Sequence, residues 1–194
     1  MMSKYFWLRE SWVLDHTGVV APEIEEEIDF FKGQLIDGQG FDKPLVFETS
    51  YKSGARPHHY FDYATSIPVV SGLFVEALGS VGIDNFQLFP AVLRNSKEGV
   101  EWENYFAFNV LGMVDATDLA SSQYSEIMKG NREGMSSLGS FTVLALKREK
   151  TQGLFFFREP HAGCLVMAER QIRDLLRSQP EEGFGLLCHE VIMT

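Results

Sequence analysis

Trp102-Glu-Asn-Tyr-Phe-Ala-Phe-Asn-Val-Leu111 is the stretch on which the fold turns. Successive side chains of a strand point to opposite sides, so Phe106, Phe108 and Val110 share one face and Tyr105, Ala107 and Asn109 the other. The first three are expected to line the core. Just upstream, Phe86-Gln-Leu-Phe-Pro-Ala-Val-Leu93 reads as a second strand, with the polar run Asn95–Gly99 as the turn between them. Pro90 has no N–H to give a ladder, so that strand is expected to be bulged or at an edge there.

Working outward, Ser66 can cap a helix reaching about Gly79, with Val70, Phe74, Ala77, Leu78 and Val81 as its apolar stripe. Downstream, residues 115–140 are polar and rich in Gly and Ser, with room for one short helix. Three strands are then expected at 141–146, 154–158 and 164–167. A helix near 168–178 should turn Ile172, Leu175 and Leu176 inward, with Glu169 and Arg173 in the favourable i,i+4 order. A last strand is expected over 184–191. Strands cluster, with few helices between them. The expected class is α+β, a mixed or largely antiparallel sheet with two or three helices.

Near the start, residues 4–8 and 12–14 read as two short strands. Between Pro22 and Phe31, the spacing of Ile24, Ile28 and Phe31 predicts a helix with one apolar and one acidic face. Pro22 suits its first turn and Gly33 its end. Residues 37–57 are loop-like, with one strand over 44–48. Residues 1–194 are expected to form a single domain, with room for a smaller N-terminal lobe (1–65) beside a main α+β lobe (66–194).

Seventeen basic against twenty-seven acidic residues leave a net charge of -10. That sign argues against a nucleic-acid binder and against an anionic membrane as partner, because both need a basic surface. A basic protein is the natural complement. Residues 1–50 hold ten acids and four bases, so the negative charge is concentrated there. Glu23, Glu25, Glu26, Glu27 and Asp29, on the polar side of the expected helix, are the candidate partner-binding residues; solvation of that face is the plainer alternative. No stretch approaches the roughly 18 apolar residues of a membrane span, and the first residues do not read as an export signal. A cytoplasmic location is expected, with Cys164 and Cys188 as free thiols.

Residue chemistry names no reaction. His161, Cys164, Cys188 and His189 are four zinc-ligand types in two pairs, but adjacent Cys188 and His189 on a strand must face opposite ways. Packed cysteines are therefore expected, with no metal and no cofactor. Arg56-Pro-His58-His59-Tyr60 offers acid–base groups without a nucleophile beside them, and reads as a loop with solvated or structural histidines. Phosphate-binding glycine loops, serine elbows and zinc-protease helices are missing from the sequence, and no catalytic residue is assigned. Phe155-Phe156-Phe157 and Phe30-Phe31 are expected in the core.

Residues 66–191 resemble a bacterial immunity-protein family associated with polymorphic toxin systems, long catalogued as a domain of unknown function. The resemblance rests on Leu78-Gly-Ser-Val-Gly-Ile-Asp84-Asn-Phe-Gln-Leu-Phe-Pro90 and Tyr105-Phe-Ala-Phe-Asn109-Val-Leu-Gly-Met-Val-Asp115-Ala-Thr-Asp118. It continues through Phe156-Phe157-Arg158, the helix after Met167, and Gly183-Phe184. It implies a small cytoplasmic protein that binds and neutralises a cognate toxin without catalysis, and it transfers no catalytic motif. Two other classes stay open on residues alone. One is an enzyme using the His58–His59 loop or carboxylates in a cleft; the other is an adaptor domain of a secretion or regulatory assembly.

Overall fold

A computed structural model describes residues 4–11, 18–24, 28–38, 41–62, 65–125, 128–129, 136–137, 141–161, 165–178 and 184–194. The elements run β1 (Tyr5–Glu10), β2 (Val19–Val20), β3 (Leu45–Thr49), β4 (Tyr60–Phe61), β5 (Val69–Ser71), α1 (Gly72–Ser80), β6 (Phe86–Asn95) and β7 (Val100–Val110). Four short strands follow, β8 (Gln123–Tyr124), β9 (Met128–Lys129), β10 (Ser136–Ser137) and β11 (Phe141–Val143), and then β12 (Ala145–Leu146). The chain closes with β13 (Phe156–Glu159), β14 (Leu165–Glu169), α2 (Arg170–Arg177), β15 (Leu186–Glu190) and β16 (Ile192–Met193). The class is α+β, as expected, with two α-helices among the described residues.

Two sheets carry the fold. One has the order β2-β3-β6-β7-β5-β4 and is mixed, because β3 runs parallel to β6 while the other pairs are antiparallel. The second, β13-β14-β1-β15, is antiparallel throughout. Strands from both sides of residue 65 share the first sheet, through β3 on β6 and β4 on β5. No described helix is long and apolar enough to cross a membrane.

Three cores follow from these two sheets. The first lies between them and takes Phe108 and Val110 of β7, Leu8 of β1, Phe156 of β13, and Phe74 and Ile172 of the two helices. The second lies on the outer face of the mixed sheet. There Tyr105 and Ala107 of β7 meet Phe30, Phe47, Phe61 and Phe89. The third lies outside the antiparallel sheet, with Tyr5, Trp7, Phe157 and Met167 under Ala116, Phe141 and Leu146. Both faces of β7 are thus buried, and Phe106 of the expected core face is only half-buried. In the Phe155–Phe157 run the side chains alternate: Phe156 enters the first core, Phe157 the third, and Phe155 stays exposed.

Pro90 behaves as its chemistry requires. β3 pairs with β6 only from Ala91 onward, so Pro90 closes the unpaired half of that edge. A register shift follows, with Ala91 opposite Tyr105 and Leu93 opposite Trp102. The extra residue is Asn104, in the left-handed region at φ 64°, where short polar side chains are tolerated. This bulge puts Trp102 and Tyr105 against the same second core although they are three residues apart.

Two helix expectations are corrected. The first helix starts at Gly72, and its cap is Ser71, whose hydroxyl accepts the Phe74 N–H at 3.2 Å. Ser66 is exposed and lies before the strand. Pro68 and β-branched Val69 and Val70 hold this stretch extended, and the Pro68 carbonyl accepts the Phe108 N–H at 2.8 Å. Val70 therefore faces the core from a strand, and Val81 is exposed. The described residues of the expected helix over 22–31 are not helical: residues 22–24 and 28–29 have no regular structure, and 30–31 lie in a turn. Asp29 Oδ1 accepts the Phe31 N–H at 2.9 Å, a local bond that competes with helix formation.

Smaller departures have similar causes. Residues 12–14 lie outside the described residues. Strand 141–146 is broken at Leu144, and the described part of 115–140 carries β8 to β10 and no helix. In α2, Ile172 and Leu176 are fully buried and Leu175 packs at the margin. Arg173 does not reach Glu169. Its Nε contacts Asp174 Oδ1 at 2.8 Å, and its guanidinium lies 3.9 Å from the Phe6 ring centroid.

Two outcomes follow. Phe108→Ala should lower stability by roughly 3–5 kcal/mol, whereas half-buried Phe106→Ala should cost clearly less. Equal shifts in the denaturation midpoint would show that the two faces are misassigned. Because strands on both sides of residue 65 share a sheet, chemical denaturation should give one transition by tryptophan fluorescence and circular dichroism alike; two resolved transitions would contradict it.

Candidate functional site

The described residues of the acidic N-terminal segment are anchored in the second core without helical structure. Glu23 is exposed, and Glu25, Glu26 and Glu27 lie outside the described residues. Asp29 is half-buried, with one carboxylate oxygen engaged in its own turn. Ile24 and Ile28 pack against the rim of the second core. The main anchor is Phe30, fully buried and edge-on to Phe89 at 5.5 Å and Phe41 at 6.2 Å. Helical spacing pointed to Phe31 instead. In the observed turn the two rings diverge, and Phe31 lies 5.2 Å below the guanidinium of buried Arg158.

The histidine loop has structural work. His58 stacks on Phe61 at 6.0 Å and meets Tyr51 edge-on at 6.1 Å. His59 Nδ1 is hydrogen-bonded to Ser71 Oγ at 2.8 Å, and its ring contacts Phe184 at 5.0 Å. Both histidines lie against the Phe184-Gly185 turn. Gly185 has φ +72°, and a Cβ there would lie 2.9 Å from His58 Cγ. Beside this loop is a groove of about 580 Å³ lined by Arg56, His59, Leu73, Trp102 and Glu103.

A polar cluster links the two sheets. The Glu10 N–H donates to Asp62 Oδ1 at 3.1 Å, and the Asp62 N–H donates to Glu10 Oε2 at 3.2 Å. The Tyr60 hydroxyl donates to Asp62 Oδ2 at 3.0 Å. Burial pushes the Asp62 carboxyl above its ordinary range, against the lowering effect of these donors. Burial likewise raises the Tyr60 phenol well above its usual value, reinforced by the charge of Asp62. These bonds join β1 to the segment after β4, so the cluster serves the architecture.

Among the described residues, His161 is not brought to the Cys188–His189 pair. Cys188 packs against the first core, while His189 meets Trp7 of the third core edge-on at 5.2 Å, as the alternation required. Both sit on β15. His161 follows β13 at the opposite edge of the same sheet, about 14 Å away at ordinary strand spacing. Cys164 lies outside the described residues. Burial raises the Cys188 thiol to about 11. Burial lowers His189, helped by the charge of Arg9. His161 instead pairs with Asp115, its Nε2 lying 3.0 Å from Oδ1.

These features define an α+β protein whose histidines and buried carboxylates hold its sheets and loops together. The chain belongs to the Immunity protein family (Imm11), whose model matches residues 7–188. The match starts in β1 and ends in β15, so it takes in the N-terminal strands beyond the 66–191 stretch of the sequence resemblance. Comparison with curated proteins returns no match.

Two measurements check these assignments. Gly185→Ala should cost roughly 1–3 kcal/mol, from backbone strain at positive φ and the contact with His58. Adding His58→Ala should recover only the contact part. A Gly185→Ala protein as stable as the parent would contradict the geometry. In a Cys164→Ser background, Cys188 should alkylate at pH 8 about a hundredfold more slowly in the folded than in the unfolded chain, because a thiol raised from 9.0 to about 11 holds that much less thiolate. The thiol's linked stability is present below pH 9 and is lost as pH rises from 9 towards 11.

Proposed function

We propose that this protein neutralises a cognate toxin by binding it stoichiometrically, as an inhibitor in the cytoplasm with no catalysis of its own. The observation that carries the reading is membership of an immunity protein family across residues 7–188. The engagement of His58 and His59 in ring packing and the Ser71 hydrogen bond supports a non-catalytic role. The net charge of -10 favours a basic toxin surface and disfavours nucleic acid or anionic membrane as partner.

The surface we propose for that contact is the acidic segment Glu23, Glu25, Glu26, Glu27 and Asp29. Its support is local charge, since residues 1–50 carry ten acids and four bases, together with the exposure of Glu23. Phe30 anchors the segment in the second core and leaves Glu23 in solvent. Carboxylates placed this way speed association more than they slow dissociation.

The decisive experiment is co-expression with a candidate toxin taken from an adjacent gene, scored by survival and by co-purification at a fixed ratio. Survival without a stable complex would overturn the stoichiometric reading. For the surface, a variant with Glu23, Glu25, Glu26 and Glu27 changed to Gln should associate several-fold more slowly at low salt. The difference should close near 1 M salt, where the screening length falls to about 3 Å. An unchanged association rate at low salt would move the interface elsewhere.

A further inference from the structure

We propose that Asp115, Glu159 and His161 form a site for one divalent transition-metal ion of the zinc type. Each side chain offers one ligand atom, and the three atoms lie within 4.8 Å of one another. His161 Nε2 and Asp115 Oδ1 are 3.0 Å apart, close to the roughly 3.3 Å between ligand atoms around a tetrahedral ion held at about 2.0–2.1 Å. Glu159 is buried and fixed, so the set closes on an ion by movement of the Asp115 side chain, which is 71% exposed.

The backbone holds these donors in place. Glu159 ends β13, and His161 follows one proline later. The segment carrying Asp115 is fastened along the same strand: the Arg158 N–H donates to Gly112 O at 3.0 Å, and the Val114 N–H donates to Arg158 O at 2.9 Å. The Asn85 amide donates to both Leu111 O and Phe156 O at 2.9 Å, tying the two chain segments just before the site. Backbone locked in this way leaves only side-chain ordering to oppose binding.

The donor set selects the ion. One imidazole nitrogen and two carboxylate oxygens suit zinc and its neighbours, whereas calcium and magnesium favour all-oxygen shells. Glu159 is fully buried and Asp115 open, so three protein ligands would face a solvent-side position for water. Arg158 does not crowd the site. Neighbours on a strand point to opposite faces, and its guanidinium lies over Phe31. A bound ion would clasp the 112–118 segment to the end of β13. This site is separate from the Cys188–His189 pair, and it replaces the expectation of no metal drawn from that pair. It does not rest on the proposed toxin binding.

The test is a zinc titration of untagged, chelator-treated full-length protein by calorimetry, with thermal melts alongside. The expected result is one ion per chain and a melting temperature raised by about 5 °C or more at a hundredfold excess over Kd. Manganese should bind more weakly and calcium not measurably. Asp115→Asn alters an exposed group and His161→Ala a partly exposed one, and the ion pair they form is at the surface, so both variants should melt within a few degrees of the metal-free parent. Each should weaken zinc binding at least tenfold. No zinc binding by the parent, or parental affinity in either variant, overturns the proposal; the second result would place the ion at another site.

Discussion

Strand β7 is buried on both faces, and the rest of the structure answers that constraint. Phe108 and Val110 need cover on one side, and Tyr105 and Ala107 on the other. The antiparallel sheet and the two helices cover the first face. The second is covered by a stretch with little regular structure, including Phe30, Tyr51 and the half-buried Phe41 and Ala55. Burying an aromatic ring of this kind removes apolar surface worth roughly 2–3 kcal/mol from water. A chain lacking the first 60 residues would expose one whole face of its central strand.

The irregular cover is held by amides instead of ladders. Gln87 acts as a surrogate strand edge: its Oε1 accepts the Ile36 N–H at 2.8 Å, and its amide donates to Ile36 O at 3.1 Å. Asn109, fully buried, donates to Gln34 O at 2.7 Å. Asn95 donates to Tyr51 O at 2.8 Å while its Oδ1 accepts two N–H groups of the β6–β7 turn. Each bond nets about 1 kcal/mol, but leaving such a group buried without a partner costs more, so these contacts select one arrangement of the cover. The same device joins the sheets, where Glu10 and Asp62 exchange backbone and carboxylate bonds.

This economy of polar groups bears on function. His58, His59, Asp62 and Tyr60 have the chemistry of acids and bases, yet each bonds or packs between segments of the fold. By contrast, the exposed charge is mainly negative, and surface charge of one sign acts at a distance on an approaching partner. An immunity protein has to present a stable surface to another protein, and a fold with both sheets covered on both faces is suited to that task.

What was legible in the sequence was local. The β6–β7 hairpin, the edge at Pro90, the inward residues of α2 and the opposed Cys188 and His189 follow from period-two alternation, helical spacing and missing donors, which need only neighbouring residues. The α+β class and the family were readable for the same reason, since both rest on the order of such patterns. Less was readable where distant partners decide. Ile24, Ile28 and Phe31 kept helical spacing, but the turn bond of Asp29 and the pull of the second core on Phe30 set another conformation. Val70 fitted a helical stripe and became a strand because β7 offered a hydrogen-bonded edge. Asp115 and Glu159 lie far apart in sequence and meet only because the continuation of β7 runs beside β13. The sequence by itself determined the periodic elements and the sign of the surface; the tertiary structure decided which face of each element is covered and which polar groups converge, because burial and hydrogen bonding over long separations outweigh local propensity.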